Sequence, residues 1–316
     1  MSATPVHPRP RLVLSRCLEL DACRYNGVTV RTPLVRRLEP HVELVPVCPE
    51  VEIGLGVPRD PIRLVRAGSA TVLMQPATGR DLTEAMRSFS ARFLSALPEV
   101  EGFVLKARSP SCGIHGVKVF GDAASEEPRT REAGMFASAV LAAYPEHPIE
   151  HEARLGNPRL RDEFLTRVFA LASLRAARGD MSPEVLAALH RRYETTLQVH
   201  GGDAEARSLA RIATRASKEP RSDDWERYQT GFRRLLARPA RPGAHAAAIA
   251  GIMGELEGEA LGDERSLLEA LFQEYRGGGV SRGPVLAALR GRAARMGTTR
   301  FWGYLNPYPP ELHEEG

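Results

Sequence analysis

"FVLKARSPSCG", residues 103–113, is an apolar, strand-like run that passes through two charged residues into a tight turn. Pro presets φ in such a turn and Gly reaches conformations other residues avoid, but nothing in turn geometry calls for Cys. The same arrangement occurs twice upstream. "RLVLSRC" (11–17) and "VELVPVC" (42–48) are each a short Val/Leu-rich run with a cysteine at its downstream end. In a parallel sheet the C-terminal ends of the strands share one edge, and ligands bind in the crevice beyond it. If the three runs are parallel neighbours, Cys17, Cys48 and Cys112 converge although 95 residues separate the first from the last.

The intervening sequence supports that architecture. "IRLVRA" (62–67) is a fourth strand-like run, "TPLVRRLEP" reads as a short helix and "DLTEAMRSFSARFLSAL" (81–97) as an amphipathic one. Asp81 stands at its expected N-cap with Glu84 three residues on, the capping-box pattern. After "GVKVFG" comes another helical stretch, "REAGMFASAVLAAYP" (131–145). Strands alternating with helices predict an α/β domain with a mostly parallel, Rossmann-like sheet. From about residue 150 the texture changes. "HEARLGNPRL" leads into stretches such as "SPEVLAALHRRYETTLQVHG" and "WERYQTGFRRLLARP", with apolar residues at helical spacing, Gly or Pro at their ends and no strand pattern between them. The second half is therefore expected to be all-α.

Composition sets the boundaries. At 316 residues, with 43% hydrophobic and 26% charged residues, the chain can bury two cores of its own. No apolar stretch approaches a bilayer span, and no basic-then-apolar segment opens the sequence. The expectation is a cytoplasmic protein with no membrane partner. Net charge is +4, and all but three of the 43 basic residues are arginine. A GC-rich genome produces that bias, and so does a surface that grips phosphates bidentately. Residues 1–150 carry 18 basic against 17 acidic side chains and residues 151–316 carry 25 against 22, so any basic face depends on patterning rather than on net charge.

All four cysteines fall in the first 112 residues, and in a cytoplasmic setting disulfides are not expected. Four explanations compete for Cys17, Cys48 and Cys112. Free cysteines are commonly buried as small hydrophobes. A structural zinc site wants four ligands, usually in local pairs, which this sequence lacks. A nucleophilic Cys112 with His115 as its base needs only one thiol. An iron–sulfur site with three thiolate ligands and one open iron accounts for all three. Cys23, in "ACRYNG", is expected near the site without being a ligand.

The blocks "SRCLELDACRYNG" (15–27), "VCPEVEIGLGVPRDPIRLV" (47–65) and "LKARSPSCG" (105–113) resemble the signature blocks of the thiouracil desulfidase family. The second half, with "YQTGFRRLL" and "FWGYLNPYPPEL", resembles the helical domain fused to that family in many bacteria; the fused form is similar to RNA-directed 4-thiouridine desulfidases. The resemblance implies an iron–sulfur desulfidase domain over residues 1–152 and an all-α, RNA-binding domain over 153–316. It implies a 4Fe–4S cluster on Cys17, Cys48 and Cys112 with one iron not bound by protein, and tRNA carrying 4-thiouridine as substrate, with no DNA partner. Hydrolytic desulfuration releases sulfide without net redox change. Free 2- or 4-thiouracil as substrate and a non-catalytic iron–sulfur RNA-binding regulator are the alternatives. The same blocks supply catalytic candidates: Glu50 as the proton-handling carboxylate, with Glu43 a weaker choice, and Ser109 to orient water or substrate. Arg59 is a candidate for holding an anion, against the more common fate of a solvated loop charge, and His115 is expected to pack or cap locally.

Overall fold

The computed structural model describes residues 7–241, 243–256 and 262–313. The chain divides into two compact units. Among the described residues, one comprises 9–168 with 311–313 and the other those of 169–310 with 7 and 8.

The first unit is α/β. Strands β1 (Arg11–Ser15), β2 (Glu43–Val47), β6 (Gly102–Leu105) and β9 (Ile149–His151) form a four-stranded sheet in the order β2-β1-β6-β9, parallel throughout. Val13 pairs with Val45 on one side and Phe103 on the other, so the three cysteine-tipped runs are adjacent and in register. Pro46 cannot donate to a ladder, and β2 accommodates it as an edge strand. The chain leaves β1 toward β2 on one side and later returns to β6 on the other. The strand order therefore reverses at β1, where open α/β sheets form their binding crevice.

"IRLVRA" forms β3 (Arg63–Ala67) but belongs to a second sheet. With β4 (Ala70–Gln75), β5 (Arg80–Asp81), β7 (Val117–Phe120) and β8 (Pro128–Glu132) it builds the order β5-β4-β3-β7-β8, in which only β3–β7 is parallel. "IRLVRA" lies between two cysteine-tipped runs in sequence, which disguised it as a member of the first sheet, whereas β7 and β8 follow the last cysteine. Both sheets and two helices, α3 (Thr83–Ala96) and α4 (Met135–Ala143), share one core that includes Val13, Leu64, Leu73, Phe103, Val119 and Phe136. Short helices α1 (Pro33–Leu38) and α2 (Pro49–Glu52) flank β2. Asp81 is not the cap of α3. Leu82 holds that position, while Asp81 pairs in β5 and its carboxylate accepts from Thr83 N–H at 2.8 Å. Glu84 accepts from Ser88 instead of closing a capping box.

The second unit is helical, as expected. The helices are α5 (Pro158–Ala177), which contains the division between units, α6 (Pro183–Gly201), α7 (Asp203–Ala216), α8 (Asp224–Leu236), α9 (Ala244–Glu255), α10 (Gly262–Arg276), α11 (Arg282–Arg295) and α12 (Trp302–Leu305). At the start of α6, Ser182 accepts from Val185 N–H and Pro183 opens the helix. One core gathers around Tyr193, Tyr228 and Phe232, and a second around Ile249, Val285 and Leu289. Buried hydroxyls are satisfied there: Tyr193 bonds Ser173 at 2.7 Å and Tyr228 meets His190 at 3.1 Å.

The loop bearing Cys112 is clamped by the start of α4. Helix N-termini leave backbone N–H groups without intrahelical partners. Here Gly134 donates to Gly113 O at 2.7 Å, Met135 to Pro110 O at 2.9 Å and Ala137 to Ser111 O at 2.9 Å. So close an approach excludes a side chain: a Cβ on Gly134 would stand 2.6 Å from Ser111 O. Gly134→Ala is therefore expected to push the Cys112 loop away and cost about 1–3 kcal/mol, an overpacking penalty. Gly251→Ala, in α9 with open space around it, is expected to stabilise by about 0.5–1 kcal/mol. Urea midpoints of the two variants check the contrast, and equal midpoints would remove the clamp as an explanation.

Candidate active site

Cys17 lies two residues past β1, Cys48 directly follows β2, and Cys112 lies seven residues past β6. All three are buried and free. Pairing of the first two strands continues beyond their formal ends, with Arg16 N–H donating to Val47 O at 2.8 Å. Ser15 Oγ accepts from Lys106 N–H at 2.9 Å and so ties the end of β1 to the end of β6. The Cys112 turn is wound around Ser109, whose hydroxyl accepts from Ser111 N–H at 3.2 Å and Cys112 N–H at 3.1 Å. From Cys17 the chain runs out and returns at Val30, whose N–H donates to Cys17 O at 2.7 Å.

Cys23 sits inside this loop, buried, with its thiol in hydrogen-bond contact with those of Cys17 and Cys48 and with the Arg16 guanidinium. Its carbonyl lies 3.8 Å from Cys48 Sγ. Contact with Cys17 raises the Cys23 thiol above its ordinary value. Cys48 is raised by contact with Cys23 and then by burial, and Cys112 is pushed up to about 12, chiefly by burial. Thiols raised in this way lack the depressed pKa that activates a nucleophilic cysteine. Nor does His115 serve Cys112 as a base: it is exposed and packs against His151, ring centroids 5.0 Å apart. The nucleophile explanation thus loses both of its requirements.

Glu50 lies in the first turn of α2, two residues past Cys48. Its Oε2 accepts from Arg59 Nη2 at 2.8 Å and Nε at 3.0 Å; its Oε1 accepts from Ser111 Oγ at 3.1 Å and Ser109 Oγ at 3.4 Å. The Arg59 side chain is only 3% exposed, and its Nη1 also donates to Gly56 O at 2.8 Å. Arg59 is therefore not a solvated loop charge, and the anion it holds is the protein's own carboxylate. Glu43 stands apart. It opens β2 at the end opposite Cys48, about 16 Å away at the usual rise of an extended strand, and pairs with Arg11 at 2.9 Å near solvent.

Three contributors escaped the sequence reading. Ser111, fully buried, was hidden inside the quoted turn as one more turn-former. Ser15 reaches the Cys112 thiol from the last position of β1. His151 ends β9 at the same sheet edge, buried and held below its ordinary pKa by desolvation. Only the pairing of β9 with β6 brings it there.

Among the described residues, no group of three or more His, Cys, Asp or Glu side chains closes to the spacing needed by a single metal ion. Adjacent strands stand about 4.8 Å apart, so thiols on three neighbouring strands suit a polynuclear centre held at separate corners.

Comparison with known proteins places the chain in a family. A family model described as 2-thiouracil desulfurase matches residues 12–152, which contain all four cysteines and Glu50, and the chain is 32% identical over 109 residues to the uncharacterized protein YbbK of Bacillus subtilis (strain 168), covering 72% of that protein and 32% of this one. The chain belongs to the 2-thiouracil desulfurase family. A second model, described as a protein of unknown function (DUF1722), matches residues 197–309, so this family member is a fused form. Among solved structures, the 4Fe–4S-dependent thiouracil desulfidase TudS aligns at 25% identity and a TM-score of 0.37, covering 48% of this chain and 96% of that one.

In this desulfurase-family chain the Glu50–Arg59 pair is nearly dry, and removing one partner strands the other's charge. Arg59→Met is expected to lower stability by roughly 3 kcal/mol. Arg59→Met combined with Glu50→Leu is expected to recover most of that loss. Denaturant titration of the two variants is the check, and an undiminished Arg59→Met protein would contradict the pairing.

Proposed function

We propose that this protein is an iron–sulfur-dependent desulfidase that replaces the sulfur of 4-thiouridine in tRNA with oxygen, releasing sulfide. The observation that carries the proposal is the convergence of Cys17, Cys48 and Cys112 at the strand-order reversal of a parallel sheet, beside a carboxylate held by a buried arginine. The donor set fits a cluster: three soft thiol ligands come from three separate backbone segments, and a protein carboxylate and two hydroxyls stand next to them. A 4Fe–4S cluster on these three cysteines, with one iron not bound by protein, supplies a soft Lewis acid for a thiocarbonyl sulfur.

The chain's own residues handle the rest. Glu50 keeps Oε2 on Arg59 and presents Oε1 toward the Ser109–Ser111 side, where it can take the proton of an incoming water. Ser109 spends its acceptor capacity on the turn amides of Ser111 and Cys112 and directs its proton toward Glu50, so it fixes the loop and orients the carboxylate together. Overall, thiocarbonyl and water become carbonyl and hydrogen sulfide, with no electrons gained or lost. Cys23, already in contact with two of the proposed ligands, is assigned to the packing around them rather than to ligation.

The tRNA substrate is supported by the helical unit, where α7 exposes Arg207 and Arg211 one turn apart, followed by exposed Lys218 and Arg221. Such a row suits phosphate contacts to a structured RNA. A second reading, free thiouracil as substrate, is favoured by the description of the matched family, which names the free base.

Anaerobically reconstituted protein is expected to erase the near-UV absorbance of thiolated tRNA and to release an equivalent of sulfide. Consumption of free thiouracil with tRNA untouched would transfer the proposal to the second reading; no turnover of either would end it. Cys17→Ser, Cys48→Ser and Cys112→Ser are each expected to lose most of the bound iron, and Cys23→Ser to retain it. Full iron in any of the first three variants contradicts the ligand set.

A further inference from the structure

Eight large apolar side chains are exposed among the described residues, and four of them, Leu20, Tyr25, Val28 and Val57, belong to two loops beside the thiols. Scattered exposed hydrophobes need no explanation, but a cluster at the mouth of a site does. The loops are residues 18–30, which carry Cys23, and residues 53–59, which carry Arg59. They are joined: Arg59 N–H donates to Tyr25 O at 2.9 Å, and Val57 lies against Gly27, 3.8 Å from where a Cβ would stand.

This patch is not a loose surface loop. Leu18 bridges to Val30 and Glu19 N–H donates to Val30 O, closing the loop at its base. Glu19, at φ +68°, turns its carboxylate back onto Thr32 N–H and the Arg36 guanidinium. The backbone is thus fixed while the apolar side chains face water. Cys23 connects the patch to the interior, because its carbonyl touches Cys48 two residues before Tyr25. Arg24 places its guanidinium 5.5 Å from the centre of the Tyr25 ring.

We infer that Tyr25, backed by Val28 and Val57, is the stacking platform for the pyrimidine of an unstacked thiopyrimidine nucleotide, and that Arg24 holds the nucleotide's phosphate. The inference rests on the desulfidase reading and specifies how that site admits its substrate. An aromatic face suits the occupant because every base offers a π-face, and stacking tolerates the sulfur substitution. A base must leave its stack before chemistry can reach it, and an apolar platform offsets the cost of exposing it. Arg24 favours a nucleotide over the free base, since its guanidinium, lying over one face of the Tyr25 ring, has no partner on uracil comparable to a phosphate.

The test uses cluster-loaded full-length protein whose iron and sulfide contents match the parent in every variant. Calorimetric titration with uridine 5′-monophosphate, which resists turnover, reads binding directly. Tyr25→Ala is expected to weaken it about tenfold, the order of magnitude of one base–aromatic stack. Tyr25→Phe is expected to bind as the parent does, and so is Leu141→Ala, an exposed apolar residue on α4 outside both loops. Arg24→Ala is expected to weaken the monophosphate but not free uracil. In turnover of 4-thiouridine substrates, Tyr25→Ala is expected to raise KM with little change in kcat. Unaltered binding and KM in Tyr25→Ala, with sulfide still released, overturn the platform and leave the desulfidase standing. Tyr25-dependent binding without sulfide release overturns the desulfidase and leaves the platform. A parent that neither binds nor turns over overturns both.

Discussion

Parallel pairing of β1 with β2 on one side and β6 on the other is the constraint on which the rest of the site depends. Because all three strands run the same way, their C-terminal ends open on a single edge, and residues 17, 48 and 112 arrive there together. An antiparallel β6 would place Cys112 at the far end of the sheet, more than a strand length from the other two. The strand order also reverses at β1, so the central cysteine stands where the backbone connections diverge and leave a crevice.

Polar satisfaction follows from that edge. Three loops leave the sheet side by side, and each must find partners for backbone groups that the ladders no longer serve. The Cys112 loop takes the free amides of α4 and the hydroxyl of Ser109; the Cys17 loop folds back onto Val30. Glu50 carries a charge into this nearly dry region and is held by Arg59, Ser109 and Ser111 from the neighbouring loops. Cross-bracing of this kind fixes the thiols without any one loop being rigid by itself. It also explains why Gly113 and Gly134 occupy their positions, since a Cβ on either would collide with backbone at under 3 Å.

Much of this was legible in sequence because the α/β half repeats one local pattern. Val- and Leu-rich runs ending in cysteine announce strands, and the helical half announces itself through helical spacing with Gly or Pro at the ends of its stretches. The second sheet was not legible. "IRLVRA" has the same texture as the runs of the first sheet, and local pattern carries no information about which ladder a strand joins. Asp81 was misplaced for a related reason. A capping-box spacing is satisfied by several local geometries, and pairing of β5 with β4 drew Asp81 into a strand instead.

The sequence by itself determined the three parallel cysteine-tipped strands, the change to an all-α second half, and the three cysteines with Glu50 and Ser109 as the residues to watch; it read Arg131 and Glu132 as the start of a helix, where they belong to β8. Those features are local: they follow from side-chain period, turn chemistry and position relative to a strand end. Tertiary structure decided the rest. It paired Arg59 with Glu50, brought Ser15, Ser111 and His151 to the same edge, put Glu43 at the wrong end of its strand, and set Cys23 against two other thiols. Each of these depends on contacts between segments far apart in the chain, and such contacts are fixed by strand order and packing rather than by spacing along the sequence.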